Sequence, residues 1–379
     1  MEIYMDNSAT TRPYKEVINE IVNVMENYYG NPSSAYSLGL AAEKKCNEAR
    51  NVIAKTINAS KEEIIFTSGG SESNNFLLKG FVHPGSHLIT TKMEHPSIIN
   101  TCEELEREGV KVTYLDVDDQ GHVDLNQLAN SITKETEMVS IMHANNEFGA
   151  VQDLYKIGKI IKEKSSRAKF HVDAVQSYGK LLIDVRKFKI DLLSASGHKI
   201  HGPRGIGFAY VKNGLEPKAL INGGGQEKNY RSGTENLAGI CGMAKAANIM
   251  YSNRDDNYKK VSSIKKYFID KLKGIEDIRI NSGSGEDYIP HILNVSFRGV
   301  RAEVLLHLLE EKNIYVSNGS ACSSKKNKMS YVLKSIGLTP KEIEGAIRFS
   351  FNEDNSFEEV DYTIEILNKS LQMLRRLKR

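Results

Sequence analysis

Between residues 63 and 194 the chain repeats one pattern: a short apolar run, a polar or glycine-containing break, then a stretch with apolar residues at helical spacing. The runs fall at 63–67, 87–91, 111–115, 138–143, 169–172 and 190–194, and read as strands. The stretches opening at Asn74 and covering 97–108, 125–132 and 154–164 read as helices. Such alternation predicts an α/β fold whose mostly parallel sheet is covered by helices on both faces. A ligand of that architecture lies beyond the carboxyl ends of the strands. The residues just past those ends are therefore the ones to read. They are Gly70 and Ser71, His95, Asn146, Asp173 with Gln176, and Lys199, all polar or small.

Lys199 stands between His198 and His201, after Ser194-Ala-Ser-Gly197 and before Gly202-Pro-Arg-Gly205. Small residues there let a ligand approach the backbone. A lysine in a crowded, partly desolvated pocket has the lowered amine pKa that Schiff-base chemistry requires. Taken alone, the stretch fits equally a strand-to-turn connection whose lysine snorkels to water. Ser68-Gly-Gly-Ser71, between a strand and a helix, is an anion site through its free N–H groups and the helix dipole, or else a plain turn. A carboxylate such as Asp173 can pair with a protonated ring nitrogen of an aromatic aldehyde cofactor. His95 can stack on such a ring and move protons.

The rest of the chain reads differently. A polar segment at 6–12 precedes a helix over about 15–28 with Val17, Ile18, Ile21 and Met25 on one face. A second helix spans roughly 39–58, and a flexible loop at 222–227 leads to a mainly helical stretch at 237–275. Strands at 278–280, 292–297 and 347–351, a helix at 302–311 and a terminal helix with Val360, Ile364, Leu367, Leu371 and Leu374 on one face make a small α+β unit. The division expected is a large domain at 15–255, with 1–14 and 256–379 forming the small domain.

Lys+Arg of 51 against Asp+Glu of 48 is too balanced to argue for nucleic acid or a membrane surface. No apolar run approaches a membrane span. The start lacks a basic region followed by an apolar one, so nothing marks it for secretion. Four cysteines without Cys-x-x-Cys spacing argue against zinc or a disulfide framework, and suit a reduced cytoplasm. Cys46, Cys102 and Cys241 lie in helical patterns and read as packing residues. Cys322 differs, because from Ser317 to Lys328 its neighbours are small, polar or basic. Nearby lysines favour its thiolate, and the reading is an exposed nucleophile on a loop at about 317–330.

Several motifs together carry a resemblance: Met5-Asp-Asn-Ser-Ala-Thr-Thr11, Phe66-Thr-Ser-Gly-Gly-Ser-Glu-Ser-Asn74, Glu94-His95, His143-Ala-Asn-Asn-Glu147, His171-Val-Asp-Ala-Val-Gln176, Ser196-Gly-His-Lys199, Arg231-Ser-Gly-Thr234 and Ser317-Asn-Gly-Ser-Ala-Cys-Ser-Ser324. Over essentially its whole length the chain resembles the cysteine desulfurases of the NifS/IscS-like group, class V within the fold-type I pyridoxal phosphate enzymes. The resemblance implies Lys199 as the lysine that bonds the cofactor and Cys322 as the acceptor of sulfur. Gly70, Ser71, Ser196 and His198 are implied around the phosphate, and Thr234 at the phosphate of the partner in a homodimer. Asp173 is implied on the ring nitrogen and Gln176 on the ring oxygen. Asn146, Asn31 and Arg348 are implied near the substrate carboxylate, which the planar fork of Arg348 suits independently. L-cysteine would lose its Cα proton to Lys199 or His95, and its sulfur to thiolate Cys322, leaving alanine and a persulfide.

Two departures from the group stand out. Lys325-Lys-Asn-Lys328 is basic where the group often has an apolar and acidic stretch, which suggests an acidic acceptor surface. The chain also stops at its terminal helix, leaving the acceptor open between an iron–sulfur scaffold, a tRNA-thiolating enzyme and another carrier. A selenocysteine lyase need not depend on Cys322, and an aminotransferase has no use for a cysteine loop. His171, Asp173, His198 and His201 as zinc ligands of a hydrolase is the alternative from another class, although their neighbours suit a cofactor better and no metal is expected. A non-enzymatic binding module is disfavoured because so many polar residues gather at strand ends.

Overall fold

The computed structural model describes residues 2–319 and 329–377. Its strands are β1 (Ile3–Tyr4), β2 (Ile64–Thr67), β3 (His87–Thr91), β4 (Lys111–Leu115), β5 (Thr136–Met142), β6 (Lys169–Asp173), β7 (Leu192–Ser196), β8 (Gly207–Val211), β9 (Ile278–Ile280), β10 (Ile292–Phe297), β11 (Ile314–Tyr315) and β12 (Ala346–Ser350). Seven form one sheet in the order β2-β8-β7-β6-β5-β3-β4. All run parallel except β8, which is antiparallel to both of its neighbours. The expected α/β architecture is therefore present, with one reversed strand added.

That reversed strand was not anticipated, because Gly207–Val211 is short, opens on glycine and follows β7 without a helix between. It decides where Lys199 sits. Ser196 pairs with Gly207, so Lys199 lies in the connection that folds β7 back on itself. Glycine is required at 207: a Cβ there would stand 2.5 Å from the Ala195 carbonyl oxygen and 2.6 Å from Gly69 Cα. Two neighbouring boundaries also move. Strand β7 begins two residues later than the sequence suggests, which brings Ser196 into it. The helix after β2 spans Gly70–Phe81, starting four residues before Asn74, because Gly69 turns the chain at φ +153°.

A large apolar core joins one face of this sheet to the early helices and to helix Leu237–Ser252, with Phe170, Phe208 and Tyr178 fully buried, and a separate core with Leu88, Met138 and Ala209 covers the other face. Each such side chain contributes about 2–3 kcal/mol by leaving water. Helix Lys15–Asn27 turns a different face inward from the one expected. Val17 and Val24 are buried with Ile21 half-buried, whereas Ile18 and Met25 point outward, Met25 at 67% exposed. The 237–275 stretch is two helices, Leu237–Ser252 and Arg254–Leu272, meeting at Asn253.

A second core is built by Ile3 and Met5 together with residues from Val261 to Leu371. Around it lie the antiparallel sheet β12-β10-β9 and the parallel pair β1-β11. The terminal helix Phe357–Leu377 buries Val360, Ile364, Leu367 and Leu371 against this core, with Leu374 half-buried, as its spacing predicts. Two short helices the sequence did not suggest, Tyr331–Ser335 and Pro340–Glu344, precede β12. The latter is opened by a capping box between Thr339 and Glu342. No helix among the described residues is long and apolar enough to cross a membrane.

Candidate active site

At the carboxyl ends of β2, β5, β6 and β7 lies a cavity of about 190 Å3. Gly70 and Ser71 face it from the first turn of helix Gly70–Phe81, His95 from the start of helix Pro96–Arg107, and Asn146 from the loop after β5. Asp173 faces it from the end of β6 with Gln176 just beyond, Ser196 from the end of β7 with His198 and Lys199 just beyond, and Arg348 comes from β12. Two of the predicted residues lie elsewhere. Thr234 is exposed on the loop before helix Leu237–Ser252. Asn31 is exposed on the loop between the first two helices, where its Oδ1 accepts from the Ser33 N–H at 2.9 Å. Cys322 and Lys325–Lys328 lie outside the described residues.

The end of the cavity at Gly70 is built from backbone. The first turn of helix Gly70–Phe81 opens with N–H groups that have no helical partner, and the helix dipole makes this corner favourable for an anion. A side chain at Gly70 would close it against the turn after β6, since a Cβ would lie 2.5 Å from Val175 Cγ2. His198, beside this corner, is held well down to about 4 by burial first and then by the charges of Lys199, Arg204 and Lys180. It is thus neutral near pH 7, and its Nδ1 lies 3.3 Å from the Thr10 hydroxyl.

Asp173 is buried, and its two oxygens have separate partners. Oδ1 accepts from the Val175 N–H at 2.9 Å and Oδ2 from the Asn74 amide at 2.8 Å. The same Asn74 amide nitrogen donates to the Ser97 hydroxyl at 2.9 Å, which in turn lies 2.8 Å from His95 Nδ1. His95 Nδ1 also accepts from the Ser97 N–H at 3.1 Å, capping its helix. Nδ1 is thereby an acceptor, and a neutral His95 carries its proton on Nε2. Burial lowers the basicity of His95, with Lys199 adding to the effect and Asp173 opposing it. Sequence reasoning missed Asn74, one helical turn inside its helix, and Ser97, in the first turn of its own, because both look like ordinary polar faces. The clue available was their proximity to strand ends.

Lys199 reaches the other side of the cavity. Its Nζ donates to the backbone carbonyls of Ser8, at 2.5 Å, and Ala9, at 2.8 Å. Gln176 Nε2 donates to the same Ser8 carbonyl at 3.0 Å, leaving its buried Oε1 without a partner among the described residues. Segment 7–14 is stitched down by Thr11, whose hydroxyl donates to the His198 carbonyl and accepts from the His201 N–H. An aromatic aldehyde phosphate fits this donor set: an open anion corner, a buried carboxylate, an orphaned amide oxygen and a primary amine face one cavity. The histidines that a zinc site would need are occupied otherwise. His171 lies between the Ser140 and Ser194 hydroxyls, and His201 stacks on Tyr14. Among the described residues no group of three or more His, Cys, Asp or Glu is gathered as metal ligands.

Residues 3–363 match the aminotransferase class-V family. The chain belongs to that family. Cysteine desulfurase IscS of Clostridium botulinum is 42% identical over 382 residues, covering 99% of this chain and 96% of that protein. Cysteine desulfurase IscS of Buchnera aphidicola is 43% identical over 384 residues, covering 99% and 94%. Among solved structures, a NifS-like protein superposes with a TM-score of 0.93 at 36% identity, covering 98% of this chain and all of that one. SspA in complex with cysteine superposes with a TM-score of 0.82 at 34% identity, covering 93% and 99%. The class-V family works with pyridoxal phosphate, and this chain is a family member along its whole cavity-forming length.

Proposed function

We propose that the chain is a pyridoxal phosphate-dependent cysteine desulfurase, taking sulfur from L-cysteine, releasing L-alanine and carrying the sulfur as a persulfide on Cys322. The observation that carries this reading is the meeting of Lys199, Asp173 and an anion corner in one cavity that Arg348 also lines. Gly70, Ser71, Ser196 and His198 would hold the phosphate, Asp173 the ring nitrogen, Gln176 the ring oxygen and Lys199 the aldehyde carbon. When bound, the cofactor supplies the electron sink that makes the substrate's Cα–H acidic.

The chain's own residues do the remainder. Lys199 Nζ, already within reach of two carbonyls, takes and returns the Cα proton, and neutral His95, with Nε2 protonated, is the second proton carrier. Arg348 and Asn146, both lining the cavity, receive the carboxylate, which orients the substrate. The Cys322 thiolate attacks the substrate sulfur; the S–C bond breaks, its electron pair stays with the substrate carbon framework, and protonation there yields alanine.

Residues 15–255 and 1–14 with 256–379 are proposed as the two domains. A homodimer is proposed in the cytoplasm, with Thr234 serving the partner's phosphate; Ile18, Val22, Met25, Tyr29, Leu38 and Leu40, all exposed on the first two helices and their loop, suit such a contact. The sulfur acceptor is proposed as an iron–sulfur scaffold or a tRNA-thiolating enzyme with an acidic docking surface opposite Lys325–Lys328. An absorbance spectrum before and after adding L-cysteine, with alanine measured in parallel, tests the core of the reading. A visible band that shifts as alanine appears is expected. A protein that stays colourless when supplied with pyridoxal phosphate refutes it. Cys322→Ser should keep the band and stop sulfide release.

A further inference from the structure

Arg348 is only 1% exposed, and a guanidinium so far from water is tolerated only when paired. Its partner is Asp6, whose Oδ1 lies 2.8 Å from Nη2. Nη1 donates to the Asn146 carbonyl at 2.9 Å, and Nε has no partner among the described residues. Arg348 lines the cavity while Asp6 does not, so the carboxylate meets the guanidinium from behind. Asp6 is also fixed in place. The Ser350 N–H donates to the Met5 carbonyl at 2.7 Å, the Asn7 amide to the Ser350 carbonyl at 2.9 Å, and the Ser8 N–H to the Ser350 hydroxyl at 2.8 Å. Because Ser350 and Arg348 belong to the same strand, β12, the carboxylate and the guanidinium are carried on one rigid unit.

Resting on the proposed reading of the site, we infer that Asp6 is a positioning residue and counter-charge that limits how tightly an amino acid is held by its carboxylate. The reason is electrostatic. A buried guanidinium with no partner grips an incoming carboxylate with its full charge in a low-dielectric site. Paired with Asp6 it presents spare N–H donors but little net charge, so hydrogen bonds do the holding. Substrate and product are both α-amino acids with the same carboxylate. A site that held it with the full charge would release alanine slowly, and Asp6 prevents that.

Asp6→Asn tests the charge while keeping an oxygen that can accept from Nη2. Cofactor-loaded wild-type and variant enzymes are titrated with L-alanine, reading the shift of the cofactor's absorbance band, and with 2-aminoethanethiol, an amine that lacks a carboxylate. The inference expects alanine to bind on the order of tenfold tighter to Asp6→Asn, with 2-aminoethanethiol unchanged, and alanine to become a stronger inhibitor of cysteine turnover. Asp6→Ala, which also frees the guanidinium to move, should bind alanine more weakly than Asp6→Asn. Equal or weaker alanine binding by Asp6→Asn, or an equal change for the amine, overturns the inference. A wild-type protein that takes up no pyridoxal phosphate at all overturns instead the reading on which it rests.

Discussion

The two ends of the cavity are built in different ways. Around Asp173 the groups are held by residues from the ends of neighbouring strands of one sheet: Asp173 by Val175 and Asn74, His95 by Ser97. Around Arg348 they come from distant parts of the chain, Asp6, Asn146 and Arg348 itself, brought together by an antiparallel sheet and an N-terminal segment. The first end holds the Asp173 carboxylate on neutral donors, with His198 uncharged, and the second is an ion pair. The contrast teaches that cofactor binding depends on one sheet, whereas grip on the substrate depends on how two cores are joined. Variants at the two ends should therefore fail differently.

The largest effect is expected at the first end. Lys199→Ala should lower cysteine desulfuration by at least ~10^3-fold, the scale of removing a proton-transferring group. It should also remove the lysine-linked cofactor band, checked by absorbance; a normal band in that variant would mean that another amine holds the cofactor. At the second end, Phe349→Ala deletes a fully buried side chain beside Arg348 and should cost about 3–5 kcal/mol of stability. Thermal melts measure this. If the ends are independent, the surviving folded enzyme keeps its cofactor affinity but binds alanine more weakly; parallel loss of both would erase the distinction.

Acid should act on both cores, since burial also holds His291, just before β10, well below the ordinary histidine value. Burial holds His171 down to about 3 and His143 to about 4. Below the ordinary histidine value of 6.5 the unfolded chain binds protons that the folded chain refuses, so stability present above pH 6.5 is lost as pH falls toward 4. Each contributes on the order of a few kcal/mol. Replacing His171 with Asn should flatten that acid limb in denaturant titrations at a series of pH values, although the exchange has its own cost in packing.

Glu94 gives an effect of comparable size with the opposite sign. Fully buried, it is pushed up to about 8, mainly by burial and further by Asp173, against the hydrogen bonds from the Met142 N–H and Thr91 hydroxyl. The folded state therefore holds a proton that the unfolded state releases above about 4.5, and stability falls as pH rises from there to 8. Glu94→Gln keeps an acceptor without the titration, so its advantage over the native chain should grow between pH 5 and 8, by on the order of a few kcal/mol. A constant difference across that range would show that the carboxyl is not neutral in the folded protein.

The sequence by itself determined the alternation that makes the main sheet, the stripe of the terminal helix, and the local motifs at the strand ends. These follow from periodicities of two and 3.6 and from glycine pairs next to apolar runs, signals carried within a dozen residues. It also singled out Arg348 through its resemblance to a family and its chemistry. Tertiary structure alone decided the rest. The reversed strand β8 arises because Gly207 packs against Gly69 and Ala195, a contact with no local signature. The inward face of helix Lys15–Asn27 was chosen by its neighbour, helix Leu237–Ser252, more than two hundred residues away. Asp6 reads in the sequence as one polar residue among several. Only the pairing of the N-terminal segment with Ser350 sets it against Arg348, because a buried charge finds its partner through the fold and not through spacing.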